Sequence, residues 1–426
     1  MSNWSAKNPY NSKLTNNYVL NGEGSRKETR HLVFDLGDSG LEYKAGDALG
    51  IIPTCPLDMV EELLSLGGFT GEEEVETHLG PCELRDALTH RYEIHRVSKK
   101  WLVGLGSRIA SGDGRISISI VKRVRTSTVD GSSILSWDGS GEGEDVPAGY
   151  TEICSPNDYA EELWNNLTSD STKMEDYMWT RDYLDALDDF GYIGFTPQEF
   201  IEGMNRLKPR LYSIASSPEH EKGTVHLTVG IVRYSYHNRD RTGLTTGFLA
   251  DRCTAGETSI GVFMSPTRSF ILPEDGKTDC IMVGPGTGIA PFRAFLQQRD
   301  INGDQGRNWL FFGDRTESGE YYYKEEMDDW KERGVIDKHD LAWSRDGAEK
   351  VYVQHLMKKH GEEIWNWLDN GGYFYVCGDK SRMAKDVHKT LIGICAEYGG
   401  MSEGEAKSYV EDGMMKSEKR YLRDVY

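Results

Sequence analysis

Apolar and polar residues alternate with two different periods along this chain. Residues 17–52 read as short strands. Arg30-His31-Leu32-Val33-Phe34-Asp35-Leu36 is one of them, closed by a turn at Gly37-Asp38-Ser39-Gly40. The period then changes. Pro56 to Leu66 carries apolar residues at helical spacing, with proline at its start and Gly67-Gly68 at its end. Helical spacing returns at Ala160 to Leu167 and at Met174 to Asp189. Ahead of these later helices, Thr126 to Asn157 is rich in Ser, Thr, Gly and Asp and reads as a long surface loop or a partly disordered insertion. Strand signals resume from Leu207, at Arg210–Ser213, Val225–Tyr234 and Thr258–Met264. From Cys280 onward short apolar runs alternate with helical stretches: 280–283, 308–312, 336–343 and 373–376. That alternation predicts a parallel sheet covered by helices. The simplest architecture is a β-barrel interrupted by a helical insertion, followed by a doubly wound α/β domain.

Charge narrows the range of partners. Acidic residues outnumber basic ones by 69 to 49, a formal charge of −20, which disfavours nucleic acid and anionic membrane surfaces. An anionic ligand would therefore need a local basic pocket. The seven cysteines form no Cys-x-x-Cys pair, so zinc and iron–sulfur sites lack ligands at the needed spacing, and no metal is expected. Their scatter suggests a reducing compartment. Residues 1–20 are polar, without the apolar stretch of a signal peptide, and no run approaches a membrane span. The expected location is the cytoplasm, with no membrane partner.

Four segments carry candidate chemistry. Val283-Gly284-Pro285-Gly286-Thr287-Gly288-Ile289-Ala290-Pro291 joins an apolar strand to a helix former. Such a turn lets backbone N–H groups approach a pyrophosphate, with Gly286, Thr287 and Gly288 at its centre; an ordinary tight turn is the alternative. Ser344-Arg345 and Lys350-Val351-Tyr352-Val353-Gln354 form a second cluster. If the latter run is extended, Lys350, Tyr352 and Gln354 share a face. Arg345 and Lys350 suit an extra phosphate and Tyr352 an adenine, although a solvated strand edge has the same composition. Arg210-Leu211-Tyr212-Ser213 offers a phosphate partner, a ring and a hydroxyl. Gly243-Leu244-Thr245-Thr246 precedes a helix-like run and is a second phosphate cradle.

In this order and spacing the motifs resemble the ferredoxin–NADP reductase superfamily, in its diflavin reductase branch. Within that branch they are similar to the FAD/NADPH half of the sulfite reductase flavoprotein subunits. The likeness rests on Ser39-Gly40-Leu41, Tyr43–Gly50, Pro209–Ser217, Val283–Phe295, Leu341–Asp346, Tyr375–Asp386 and Arg420–Tyr426. It covers about residues 15–50 and 205–426 and is patchy between. The resemblance implies an FAD-binding β-barrel from residues 15–52 and 205–275, a helical connecting insertion at 53–204, and an NADP-binding α/β domain at 276–426.

The resemblance also implies roles, with FAD and NADPH as cofactors. Arg210, Leu211, Tyr212 and Ser213 would bind FAD, Tyr212 lying against the flavin. Thr228, Val229, Gly230 and Tyr234 would line it, and Gly243, Leu244, Thr245 and Thr246 would hold its pyrophosphate. Ser344, Arg345, Lys350, Tyr352 and Gln354 would grip the 2′-phosphate end of NADPH, with Asp386 on the same cofactor. Ser213, Cys377 and Asp424 would surround the point of hydride transfer; Tyr426 would cover the flavin and swing away as a gate. For Cys377 a small buried core residue is the alternative. The implied partner is an electron acceptor: an FMN domain, a flavodoxin, a ferredoxin or a sulfite reductase haemoprotein. The family's FMN-binding domain has no room in this chain, and Thr126 to Gly131 is a poor substitute for its phosphate loop. A ferredoxin or flavodoxin reductase with another acceptor stays open. A non-catalytic nucleotide-binding scaffold would instead show an eroded hydride site.

Overall fold

The computed structural model describes residues 4–111, 123–129, 132–137, 150–152, 156–191, 194–237 and 239–426. Its contacts divide the chain into two units. The first comprises Met1–Pro53, Pro209–Arg233 and Thr245–Tyr426; the second comprises Thr54–Lys208 and Tyr234–Leu244. Residues 234–244, expected within the FAD-binding segment 205–275, thus fall in the second unit.

The first unit holds two sheets. In chain order, β1 (Tyr10–Val19), β2 (Thr29–Asp35), β3 (Ala48–Ile51), β4 (Arg210–Ser213), β5 (Thr224–Gly230) and β6 (Ser259–Ser265) form an antiparallel sheet ordered β5-β2-β1-β6-β3-β4. Its ends approach one another, because Ile214 bridges to Leu227 and the Ala215 N–H donates to the His226 carbonyl at 2.8 Å. Leu14, Leu32, Phe34, Leu49, Val225, Leu227 and Val262 fill one core. The opposite face of β2 is covered as well. There His31 Nδ1 lies 2.9 Å from the Tyr323 hydroxyl and His31 Nε2 lies 3.2 Å from His226 Nδ1. Burial, then the Arg293 charge, push His31 down to about 2 and His226 to about 4, so both rings stay neutral within the packed layer. This two-sided cover suits the unbroken apolar stretch Leu32-Val33-Phe34 at the centre of the strand.

The second sheet of this unit is parallel: β7 (Cys280–Val283), β8 (Asn308–Asp314), β9 (Lys338–Trp343), β10 (Tyr373–Gly378) and β11 (Tyr421–Val425), ordered β9-β8-β7-β10-β11. Alternate residues feed two cores. Ile281, Val283, Trp309, Phe311, Phe374 and Val376 face one, while Cys280, Met282, Leu310, Phe312, Tyr375 and Cys377 face the other. A strand buried on both faces must be apolar throughout, hence the short unbroken runs in the sequence. The chain builds outward from β7 in one direction, then returns to its other side with β10. The carboxyl ends of β7 and β10 therefore flank a topological switch point, where open α/β sheets bind ligands.

The second unit is mainly helical, with helices Leu57–Leu66, Leu84–His90, Lys99–Ser111, Pro156–Thr168, Ser171–Thr180, Tyr183–Phe190 and Pro197–Ile201. Pro56 precedes the first helix and Gly67 ends it, as its sequence predicts. Trp101 is buried against Tyr183 (ring centroids 4.9 Å apart) and gives its indole N–H to the Phe200 carbonyl at 2.8 Å. The segment 126–157 departs from expectation: its described residues contribute to three antiparallel strands, Arg123–Val129, Ser132–Trp137 and Tyr150–Glu152. Alternating β-branched residues at Val124, Thr126, Thr128 and Ile134 outweigh the Ser- and Gly-rich composition there. Asp130 and Gly131, the end of the weak phosphate-loop candidate, lie outside the described residues.

One buried ionic cluster fixes this unit. Asp182 and Asp185 cap helix Tyr183–Phe190 reciprocally, and Arg241 pairs with both; each carboxylate is only 5% exposed. Arg241→Ala would leave two buried carboxylates short of a counter-charge, so a loss of about 3–5 kcal/mol is expected. Urea unfolding followed by helical circular dichroism checks this; an unchanged midpoint would contradict it.

Candidate active site

Strand ends from both sheets of the first unit meet at one carboxylate. Ser213 closes β4 and pairs in register with Ala48 of β3. Cys377 and Asp424 stand side by side in the parallel register of β10 and β11. The Ser213 hydroxyl donates to Asp424 Oδ2 at 2.5 Å, and the Cys377 thiol points to the same oxygen at 3.8 Å. Cys377 is fully buried, and burial, then the Asp424 charge, hold its thiol well above its ordinary value. It is therefore a protonated donor, not a thiolate nucleophile. Cys377 is thus a buried core residue whose thiol also faces Asp424.

The glycine turn closes over this cluster. A Cβ on Gly288 would fall 2.2 Å from the Cys377 carbonyl oxygen, so only glycine permits this approach. Gly286–Ile289 forms a short 3-10 turn leading into helix α2 (Ala290–Asn302), α1 being the helix Leu244–Asp251. Tyr426 is tethered at three points: its N–H donates to the Gly378 carbonyl (3.2 Å), its carbonyl accepts from Lys380 (3.0 Å), and its hydroxyl lies 2.9 Å from Thr287 Oγ1. Its side of the site is still open, for the residue is 61% exposed.

Along β4, Tyr212 is half-buried, with its hydroxyl pushed up to about 12 chiefly by burial. Leu211 on the other side is exposed. Thr245, in the first turn of α1, has a buried hydroxyl without a hydrogen bond of good geometry among the described residues; the Tyr212 phenol is near it. An unsatisfied hydroxyl at a helix start fits the phosphate cradle read from the sequence. The Thr246 hydroxyl accepts from the Val232 N–H at 3.2 Å. Gly230 faces Thr287, whose methyl would lie 3.3 Å from an added Cβ. Thr228 and Val229 point elsewhere: the Thr228 hydroxyl is 2.6 Å from that of Tyr323, and Val229 sits in the antiparallel core. Arg210 is half-exposed at the start of β4. Tyr234, Gly243 and Leu244 belong to the second unit, with Leu244 in its core.

Beyond the turn, at the carboxyl ends of β7, β8 and β9, lies a cavity of about 530 Å³. Gly286, Ser344, Arg345, Lys350, Tyr352, Gln354 and Asp386 all line it, together with Lys27, Arg315 and Arg382, which sequence reading missed. This is the local basic pocket an acidic chain needs for an anionic ligand. Ser344 donates to the Asp314 carbonyl at 3.1 Å, and Gln354 approaches Asp386 at 3.5 Å. Hydrogen bonds from the Ser381 side chain, then from backbone N–H groups of residues 381–383, pull Asp379 down to about 2 and anchor the start of the helix Met383–Gly399. The condition of an extended run over 350–354 is not met: Tyr352 is extended, but helix α3 (Val353–Lys359) begins directly after it. Val353 and Met357, four residues apart, bury against the sheet and favour helix, while the Tyr352 N–H donates to His355 Nδ1 at 3.4 Å. Lys350, Tyr352 and Gln354 converge on the cavity by this corner, not by strand alternation.

Two family matches fit this geometry. Residues 2–111 and 156–248 match the FAD binding domain, and residues 282–389 match the oxidoreductase NAD-binding domain. Fold and family matches thus fit the class of two-domain proteins that bind FAD and a nicotinamide nucleotide. The chain is 37% identical over 427 aligned positions to the sulfite reductase (NADPH) flavoprotein alpha-component of Bacillus subtilis, aligning all of this chain with 62% of that protein. The same protein of Vibrio cholerae is 36% identical over 425 positions, covering 100% of this chain and 60% of the relative. That of Mannheimia succiniciproducens is 35% identical over 424 positions, covering 100% and 62%. The chain is similar to these flavoproteins along its whole length, and spans about three fifths of the length of the curated relatives it matches.

Proposed function

We propose that this chain is an NADPH-dependent FAD oxidoreductase that passes electrons onward in sulfite reduction, to a haemoprotein reached directly or through an FMN carrier. The antiparallel sheet, joined at Ile214 and Leu227, is read as the FAD-binding barrel (residues 15–52 and 205–275). Residues 53–204 are the connecting insertion, and residues 276–426 the NADP-binding domain. The observation that carries the reading is the convergence of Ser213 and Cys377 on Asp424, beside the Gly286–Gly288 turn. Bound FAD supplies a ring that takes two electrons as hydride and releases them singly.

The side chains divide the work. The Asp424 carboxylate, held by two donors, stabilises positive charge as it develops on the nicotinamide. The Ser213 hydroxyl is positioned to turn toward the flavin when the two rings stack. The buried Cys377 thiol would lie near the nicotinamide and keep water from Asp424 on that side. Tyr426 holds the nicotinamide position until displaced, and its Thr287 tether makes it a gate. Arg345 and Lys350 favour a 2′-phosphorylated nucleotide. Six free cysteines among the described residues are compatible with a cytoplasmic setting, and no described helix is long and apolar enough to cross a membrane.

Anaerobic titration of the FAD-loaded protein, with NADPH and then NADH, tests the reading. Fast bleaching of the flavin band by NADPH with a poor NADH response is expected. Bound flavin that neither nucleotide reduces would overturn it in favour of a scaffold.

A further inference from the structure

Lys27 comes from the antiparallel half of the first unit but ends in the nucleotide cavity, ion-paired with Asp314. The segment that delivers it, between β1 and β2, is fixed in place. The Gly22 N–H donates to the Gly319 carbonyl at 2.9 Å, Ser25 Oγ to Glu320 Oε1 at 2.5 Å, and Thr29 Oγ1 to the Tyr322 hydroxyl at 2.9 Å. A Cβ on Gly22 would fall 2.0 Å from the Ser318 carbonyl oxygen, so the two backbones are in close contact. Lys27 is thus held at a defined place by a docked strap.

Its partner lies at a sensitive point. Asp314 is the last residue of β8, with a side chain only 4% exposed. A Cβ built on Gly286 would stand 3.5 Å from Asp314 Oδ2, so the carboxylate abuts the turn offered to a diphosphate. A bare carboxylate there would repel the ligand strongly, because a half-buried site screens charge poorly.

We propose that Lys27 is an affinity determinant for the diphosphate of the nicotinamide nucleotide, acting as a positioning residue that cancels Asp314 beneath the glycine turn. The inference rests on the reading of this cavity as the nucleotide site. It separates two tasks: Lys27 serves the diphosphate, common to both nicotinamide nucleotides, while Arg345 and Lys350 serve the 2′-phosphate.

Isothermal titration of the FAD-loaded protein tests it, with NADP⁺ and with adenosine 2′-monophosphate, which lacks the diphosphate. In Lys27→Met, NADP⁺ binding is expected to weaken roughly ten-fold or more, a charged partner being lost, with the monophosphate unaffected. Asp314→Asn binds NADP⁺ more tightly than wild type. The double variant Lys27→Met/Asp314→Asn recovers to within about three-fold of wild type, because the two sites are coupled. Retained monophosphate binding shows that the cavity is folded in each variant. Unchanged NADP⁺ affinity in Lys27→Met, equal loss of both ligands, or no recovery in the double variant would each overturn the proposal while leaving the cavity reading in place. A wild-type protein that binds neither ligand would remove the cavity reading, and the proposal with it.

Discussion

Asp424→Ala is expected to slow flavin reduction by NADPH about 100-fold while FAD stays bound, since a preorganised charge facing the reacting ring is typically worth that much. The structure gives the reason: two donors, Ser213 at 2.5 Å and Cys377 at 3.8 Å, hold one carboxylate oxygen in place. Removing the carboxylate also leaves the buried Cys377 thiol without its acceptor. Ser213→Ala and Cys377→Ala should each cost less, because Asp424 then retains its other partner. Anaerobic stopped-flow bleaching, with bound flavin quantified beforehand, separates a slowed transfer from lost cofactor. A wild-type rate in Asp424→Ala would end the role assigned to this residue.

The second large effect concerns nucleotide choice. Arg345 and Lys350 line the cavity together with Tyr352, whose ring is 42% exposed and available to stack. A charge-assisted bond to phosphate contributes about 1.5–3 kcal/mol, so Arg345→Ala/Lys350→Ala should raise KM for NADPH about 100-fold or more. The KM for NADH, which has no 2′-phosphate, should stay within a factor of a few, and kcat should hold for both. Steady-state kinetics with an artificial electron acceptor measures this. A parallel rise for both nucleotides would place the two cations elsewhere on the ligand.

Much of this was legible in the sequence, for identifiable reasons. The strands of the parallel sheet are apolar on both faces because both are buried, so runs such as Cys280–Val283 stand out from any surface segment. The glycine turn was legible because Gly288 has no room for a side chain. Local pattern served less well where a partner lies far along the chain. Lys27 sits in a polar stretch, Glu23 to Glu28, without a local pattern that points to a ligand; the docking on residues 319–322 makes it part of a cavity. The hydroxyl of Thr228, a residue the resemblance set beside FAD, lies against that of Tyr323, 95 residues away, a contact that local pattern does not show. At Lys350 to Gln354 an extended run would have put alternate side chains on one face, but burial of Val353 and Met357 decided for helix. Residues 126–157 carried composition typical of loops, yet their described parts pair as strands.

The contact between Ser213 and Asp424 spans 211 positions of sequence. Neither sheet alone contains the cluster, so it comes into being only when the antiparallel and parallel halves dock. Closing so long a loop is entropically slow, and contacts of this range form late in folding. The chain can thus acquire most of its secondary structure, and even its separate cores, without possessing a reactive centre. The parallel half alone sets Cys377 beside Asp424, so the proposed site is complete only when the other sheet delivers Ser213.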